Sequence, residues 1–247
     1  ALKIIEVDEK IKSDVIQICQ GTYSPLTNFM NIEQLEYVLE KSEFEGNVPW
    51  TMPIIFQMKN DEINKIPHSG KIGLKCSSSN QVFALLDIKQ IEKLNNVEKL
   101  SLNWFQTNSS NHPGVKNFYS GGGYIISGKP ELINNENSNR GLINNYYELA
   151  PKQTRDIFYH NNWQNIVGFH TRNICHMGHY YIQLSALKET NSDALFISPV
   201  CGVKKPGDFS SEIIISCYEE LIKNNKYAPY DALIGSFNTY SRYCGPR

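Results

Sequence analysis

Hydrophobic positions recur with different periods in the two halves of the chain. Over 47–58, 81–88 and 121–128 short apolar runs are bounded by turn residues, a pattern that predicts strands. Between them, 32–39 carries Leu35, Val38 and Leu39 on one face at helical spacing. The stretch 134–145 is polar and rich in asparagine, which predicts a surface loop or a linker. A mostly β domain is the expectation for residues 1–148.

From about residue 150 the rhythm becomes strand, turn, helix. Apolar runs over 165–170, 193–200 and 231–237 predict three buried strands, and 179–188 and 211–223 predict the helices between them. Strands alternating with helices imply βαβ crossovers and a parallel sheet, so 149–247 is expected to be an α/β domain. In such sheets ligands sit beyond the carboxyl ends of the strands. Here those ends lead into 170–179, 200–208 and 238–247.

Composition removes several alternatives. Of the 247 residues 40% are hydrophobic, enough for a sizeable core, and 24 Lys+Arg against 25 Asp+Glu leave a net charge of −1. A nucleic-acid binder would carry a basic excess, so no nucleic-acid partner is expected. No apolar stretch approaches the roughly 20 residues that cross a bilayer. The first residues lack the layout of a signal peptide, so no membrane association and a cytoplasmic location are expected. Six cysteines are scattered without a CxxC pair, which predicts reduced thiols and no structural metal site.

The three strand ends carry the chemistry. The first reads His170, Thr171, Arg172, Asn173, Ile174, Cys175, His176, Met177, Gly178, His179. A helix N-terminus offers unpaired N–H groups and a partial positive charge, which suit an anion. Histidines three apart share one side of a turn and can both donate to phosphate oxygens; by themselves they would also fit a metal half-site or two surface imidazoles. Arg172 adds a planar fork matched to an oxyanion. The second place holds Lys204, Lys205 and Asp208 in a loop bounded by glycine and proline. The third holds Arg242 and Arg247. Alone, the lysines would pass for a solvated turn. Three basic clusters at the carboxyl ends of one sheet point to a shared crevice for a nucleoside triphosphate.

In series these segments resemble the ATP sulfurylase family. HTRNICHMGH, PVCGVKKPGD and RYCGPR are similar to that family's QTRNPxHxxH, HPVVGxTKPGD and MRYAGPR. GTYSPLTNFM at 21–30 resembles GxFSPLxGFM, and His112 to Val115 match HPGV. The resemblance implies a PUA-like domain followed by a Rossmann-like nucleotidyltransferase domain with a parallel sheet. It further implies that sulfate attacks the α-phosphorus of ATP, carried with Mg2+, to give adenylyl sulfate and pyrophosphate. The implied catalytic residues are Thr171, Arg172, Asn173, His176 and His179. His170, Arg172, Asn173, Lys204, Lys205, Asp208, Arg242 and Arg247 would bind substrate, with ATP and sulfate as partners and a homo-oligomer as the assembly. Cys175 is expected to serve packing.

Two departures from the family pattern matter. His170 stands where the family has a glutamine that contacts sulfate, which leaves a different acceptor oxyanion open. The family's next segment, a helix and a strand ending in a GRDH-type loop, does not follow Arg247, so the α/β domain is expected to be incomplete at its C-terminus. A catalytically silent nucleotide- or RNA-binding relative is the remaining alternative.

Overall fold

A computed structural model describes residues 2–78, 81–133, 146–205, 207–240 and 242. The predicted loop over 134–145 and the candidate Arg247 lie outside the described residues. The described chain divides into two compact units, one from 2–19 and 23–133 together with Arg242, the other from 20–22 and 146–240.

The first unit is built on a five-stranded sheet. Its strands are β1 (Lys3–Val7), β4 (Phe56–Met58), β5 (Gly70–Cys76), β6 (Val82–Lys93) and β7 (Tyr124–Leu132), in the order β1-β5-β6-β7-β4. Only β1 and β5 run parallel; the other neighbours are antiparallel. A short ribbon pairs β2 (Glu43–Phe44) with β3 (Val48–Pro49). Helices α1 (Glu9–Gln20), α2 (Ile32–Lys41), α3 (Asn60–Ile63), α4 (Val97–Phe105) and α5 (Pro113–Ser120) complete it. Leu35 and Leu39 of α2, Trp104 and Phe105 of α4, and Phe118 of α5 pack with Ile125 of β7 in one cluster. Burial of such side chains stabilises by roughly 1.5–3 kcal/mol each.

The unit is strand-rich, as the pattern predicts, but it carries more helix than the pattern shows. In α1 the buried Val15, Ile16 and Ile18 are β-branched and crowd together, which obscures the helical period. The continuous strand expected over 47–58 is split. Pro49 and Pro53 have no N–H for a central ladder, so pairing survives only at Val48–Pro49 and Phe56–Met58.

The second unit holds β8 (Ile166–Thr171), β9 (Ala194–Pro199) and β10 (Asp231–Ile234) in a parallel sheet of order β10-β9-β8. The helices are α6 (Pro151–His160), α7 (Met177–Glu189) and α8 (Ser211–Lys223). Central β9 is apolar on both faces, the mark of a strand covered by helices. Leu195 and Ile197 of β9 pack with Leu187 of α7, Ile214 and Tyr218 of α8, and Ile234 of β10. The three predicted strands and two predicted helices are all present, while α6 escaped the pattern because Thr154 is its one buried residue.

The site depends on register. Thr171 pairs with Pro199, and Asp231 and Ile166 both align with Ala194, so the three strands end on the same side. Ser210 caps α8 through its side-chain oxygen, and His176 caps α7 through its ring nitrogen Nδ1. Both helices therefore begin directly after the polar loops at the strand ends.

Candidate active site

The turn from β8 into α7 is organised by its own side chains. Thr171 is buried, and its hydroxyl oxygen accepts from the Asn173 N–H at 3.1 Å while reaching the Asn173 carbonyl at 3.3 Å. This local ring projects Arg172 and Asn173 outward, and both are exposed. His176 then takes the N-cap position, its Nδ1 accepting from the Gly178 N–H at 3.1 Å. Nδ1 is thereby unprotonated, and the imidazole proton lies on Nε2, pointing away from the helix. A Cβ on Gly178 would sit 3.1 Å from the His176 ring, so glycine here leaves room for the capping imidazole.

His179 lies one turn on. Its Nδ1 meets the Ile174 carbonyl at 3.3 Å and donates to it, because a carbonyl can only accept. The two imidazoles stack with centroids 3.8 Å apart and planes 24° from parallel, and the Phe169 ring backs His179 edge-on at 5.6 Å. The turn thus presents two oriented imidazoles at the positive end of α7.

The second loop joins the first through an ion pair. Arg172 Nη1 donates to Asp208 Oδ1 at 2.9 Å, across 36 residues of sequence. Asp208 is held in turn, because Oδ2 accepts from the Lys205 N–H at 3.1 Å. Nearly half of the Arg172 side chain is exposed, against 11% for Asp208. The carboxylate is therefore the fixed partner, and the guanidinium keeps donors turned to solvent. Lys204 Nζ donates to the Val200 carbonyl, and loss of water lowers its pKa from the ordinary lysine value. At this end of the sheet Val200 bridges to Phe237, whose N–H donates to Pro199 O at 2.7 Å.

His170, at the last register but one of β8, has its ring 5.5 Å from that of Phe237. Loss of water lowers its pKa below the ordinary 6.5, against a hydrogen bond at the Ser198 backbone that raises it. The sign of the linkage follows. The unfolded chain takes up the proton more readily than the folded one, so this residue reduces stability as pH falls below about 6.5. His170→Gln is expected to retain more of its pH 7.5 urea midpoint at pH 5.5 than the parent chain does. An identical loss in both would remove the argument.

Of the remaining sequence candidates, Arg242 groups with the first unit, where its guanidinium pairs with the buried Asp14 and approaches the Tyr23 hydroxyl at 3.4 Å. Cys175 is half-buried, and burial raises its thiol pKa, which fits packing better than nucleophilic chemistry. Among the described residues no three or more His, Cys, Asp or Glu side chains gather around a metal position. No described helix is long and apolar enough to cross a membrane.

Sequence reasoning missed a polar cluster beneath the turn. Gln183 of α7, Tyr218 of α8 and Tyr227 are buried together, with the Tyr227 hydroxyl donating to Gln183 Oε1 at 2.9 Å. The available signal was a glutamine in the middle of the apolar run from Tyr180 to Leu187.

Fold and site together define a class: a strand-rich domain followed by a Rossmann-like α/β domain with its polar residues gathered at the carboxyl ends of parallel strands. Residues 1–135 match the family model of the PUA-like domain, and 145–247 match that of ATP-sulfurylase. Proteins named sulfate adenylyltransferase are similar over nearly the whole chain. That of Pyrococcus abyssi is 36% identical over 98% of this chain and 61% of its own length. That of Ignicoccus hospitalis is 35% identical over the same shares, and that of Microcystis aeruginosa 32% identical over 98% and 60%. The two models follow one another along the chain, which spans about three fifths of the length of those relatives. A solved structure described as a hexameric APS kinase from Thiobacillus denitrificans superposes with a TM-score of 0.68 over 97% of this chain and 42% of that one. At 15% identity it shows likeness of fold alone.

Proposed function

We propose that this chain carries the adenylyl-transfer site of a sulfate adenylyltransferase. The observation that carries the reading is the β8–α7 turn, where Arg172, anchored by Asp208, stands beside two stacked imidazoles at a helix N-terminus. The similar proteins named sulfate adenylyltransferase support the same assignment.

In this reading a sulfate oxygen attacks the α-phosphorus of ATP. One S–O–P linkage forms, the bond from the α-phosphorus to the bridging oxygen breaks, and pyrophosphate leaves with the electron pair. Mg2+ arrives on the nucleotide, as it does where substrate phosphates supply most of its ligands. Sulfate is a weak nucleophile, so rate must come from alignment and from donors placed where charge grows. Arg172 holds the sulfate, with the Asn173 side chain beside it, while Thr171 sets the turn that presents them. His176 and His179 face the triphosphate, His176 donating through Nε2–H. Lys204 and Lys205 add positive charge on the phosphate side. Asp208 acts through Arg172, fixing the fork without spending it on the pair.

The test is pyrophosphate release from MgATP by this polypeptide, with and without molybdate, an oxyanion whose adenylyl product hydrolyses at once. Molybdate-dependent release is expected, and release indifferent to any tetrahedral oxyanion would sink the assignment. A second reading keeps the transfer and changes the acceptor. His170 beside Phe237 favours it, since one imidazole N–H replaces the donor of a primary amide. Competition among sulfate, selenate and phosphate in the same assay separates the two.

A further inference from the structure

We propose that binding of the triphosphate draws one proton from solvent onto His179 Nε2, so that the stacked pair meets the nucleotide as one neutral and one cationic imidazole. The proposal rests on the function proposed above and deepens it; the place of the proton is argued from hydrogen bonds.

The two imidazoles stack with centroids 3.8 Å apart, yet their Nδ1 atoms play opposite parts. His176 Nδ1 accepts from the Gly178 N–H at 3.1 Å, so its lone pair is committed to capping α7. A proton placed there would set N–H against N–H and open the cap. His179 Nδ1 donates to the Ile174 carbonyl at 3.3 Å, which in the neutral ring leaves Nε2 with a lone pair and no proton. Against a phosphate oxygen that lone pair offers nothing, since both atoms can only accept. Protonation at Nε2 removes the conflict and keeps the carbonyl bond, which becomes charge-assisted. Of the two rings, only His179 becomes a cation without breaking a hydrogen bond.

The surroundings set when the proton arrives. Both rings lie at the N-terminus of α7, whose partial positive charge opposes an imidazolium until an anion binds. From β8 the ring against His179 is the uncharged Phe169, while the His170 ring lies beside Phe237. In the turn, Arg172 is paired with Asp208, and burial raises the Cys175 thiol pKa, which keeps it neutral. On α8, burial pushes the Tyr218 hydroxyl up to about 12, so it is neutral too. Lys204 Nζ is bonded to the Val200 carbonyl. Among the described residues no carboxylate pairs with either imidazole. A second cation with its ring centre 3.8 Å away would be repelled, which limits the uptake to one proton.

Titration calorimetry with MgATP at pH 7.5, without any acceptor oxyanion, is run in HEPES and in Tris, whose heats of ionisation differ. The expected difference corresponds to uptake of about one proton per nucleotide, and Kd rises by up to about tenfold per pH unit above 7.5, because binding that consumes a proton weakens as protons become scarce. His179→Gln is expected to abolish the uptake, and His176→Asn, which keeps a side-chain cap, to retain it. Binding without uptake in the parent chain, or uptake that persists in His179→Gln, overturns the proposal. Nitrogen NMR of the rings reads the same assignment without a variant. The free chain should show Nδ1–H at His179 and Nε2–H at His176, and the complex two protonated nitrogens at His179 only; a doubly protonated His176 in the complex overturns the proposal. If the parent chain binds no MgATP, the proposed function fails, and acidification of the free chain still decides the place of the proton. His179 must then become doubly protonated while His176 keeps its bond to Gly178, and the opposite order overturns the proposal.

Discussion

Arg172→Ala is expected to lower kcat/KM for molybdate-dependent pyrophosphate release by about 10²- to 10³-fold, equivalent to about 2.7–4 kcal/mol of transition-state stabilisation. The expectation rests on how the side chain is held. Asp208 fixes Nη1 at 2.9 Å, which orients the planar fork, and the exposed remainder can meet an oxyanion without reorganising. Removing it should leave the fold nearly intact, because an ion pair with one partner this exposed stabilises by no more than about 1 kcal/mol. Lysine should not restore the rate, since a point charge on a flexible stem cannot reproduce the fork. Stopped assays with parent, Arg172→Ala and Arg172→Lys chains decide the matter, and parent-like rates in Arg172→Ala would remove Arg172 from the site. Asp208→Asn separates anchoring from contact, with a smaller loss expected than for Arg172→Ala.

Gly202→Ala should be the most damaging small substitution at this end of the sheet. A Cβ there would stand 1.8 Å from the Thr239 carbonyl oxygen and 2.5 Å from its carbon, both backbone atoms. No rotamer relieves such a contact; one of the two segments must move. Both are tied down, since Cys201 N–H donates to Phe237 O at 2.9 Å and Phe237 N–H to Pro199 O at 2.7 Å. Overpacking that displaces backbone costs about 1–3 kcal/mol, occasionally more. Urea unfolding should show a midpoint shift of that order, with loss of the site because Lys204, Lys205 and Asp208 follow Gly202 in the same loop. A fully stable alanine variant would mean that the 199–202 and 237–239 segments do not lie as close as described.

The proposed chemistry asks little of any nucleophile. The described cysteines are free thiols, and those of Cys175 and Cys201 are raised in pKa by burial, which makes them poor attacking groups. What the second unit offers is orientation: a capped helix, two imidazoles with assigned tautomers and an anchored guanidinium. Those are the features a direct displacement requires.

Much of this was legible in the sequence. Alternation of apolar runs and helical spacing after residue 150 determined the βαβ order, because burial against a sheet and burial against a helix impose different periods on the same chain. The same pattern placed the polar residues after strands, and the order of the motifs carried the resemblance that the two family models match. The first unit was less legible: prolines broke one expected strand, and β-branched residues disguised α1. Tertiary structure alone decided which atoms meet. Asp208 finds Arg172 only because β8 and β9 end in register, and His176 becomes a cap only because the turn before it is closed by Thr171. Gln183, Tyr218 and Tyr227 lie on separate segments, with nothing in their local surroundings to mark them as partners. Periodicity records how each element is buried. The meeting of polar groups depends on how distant elements pack, and no local window of the chain contains that information.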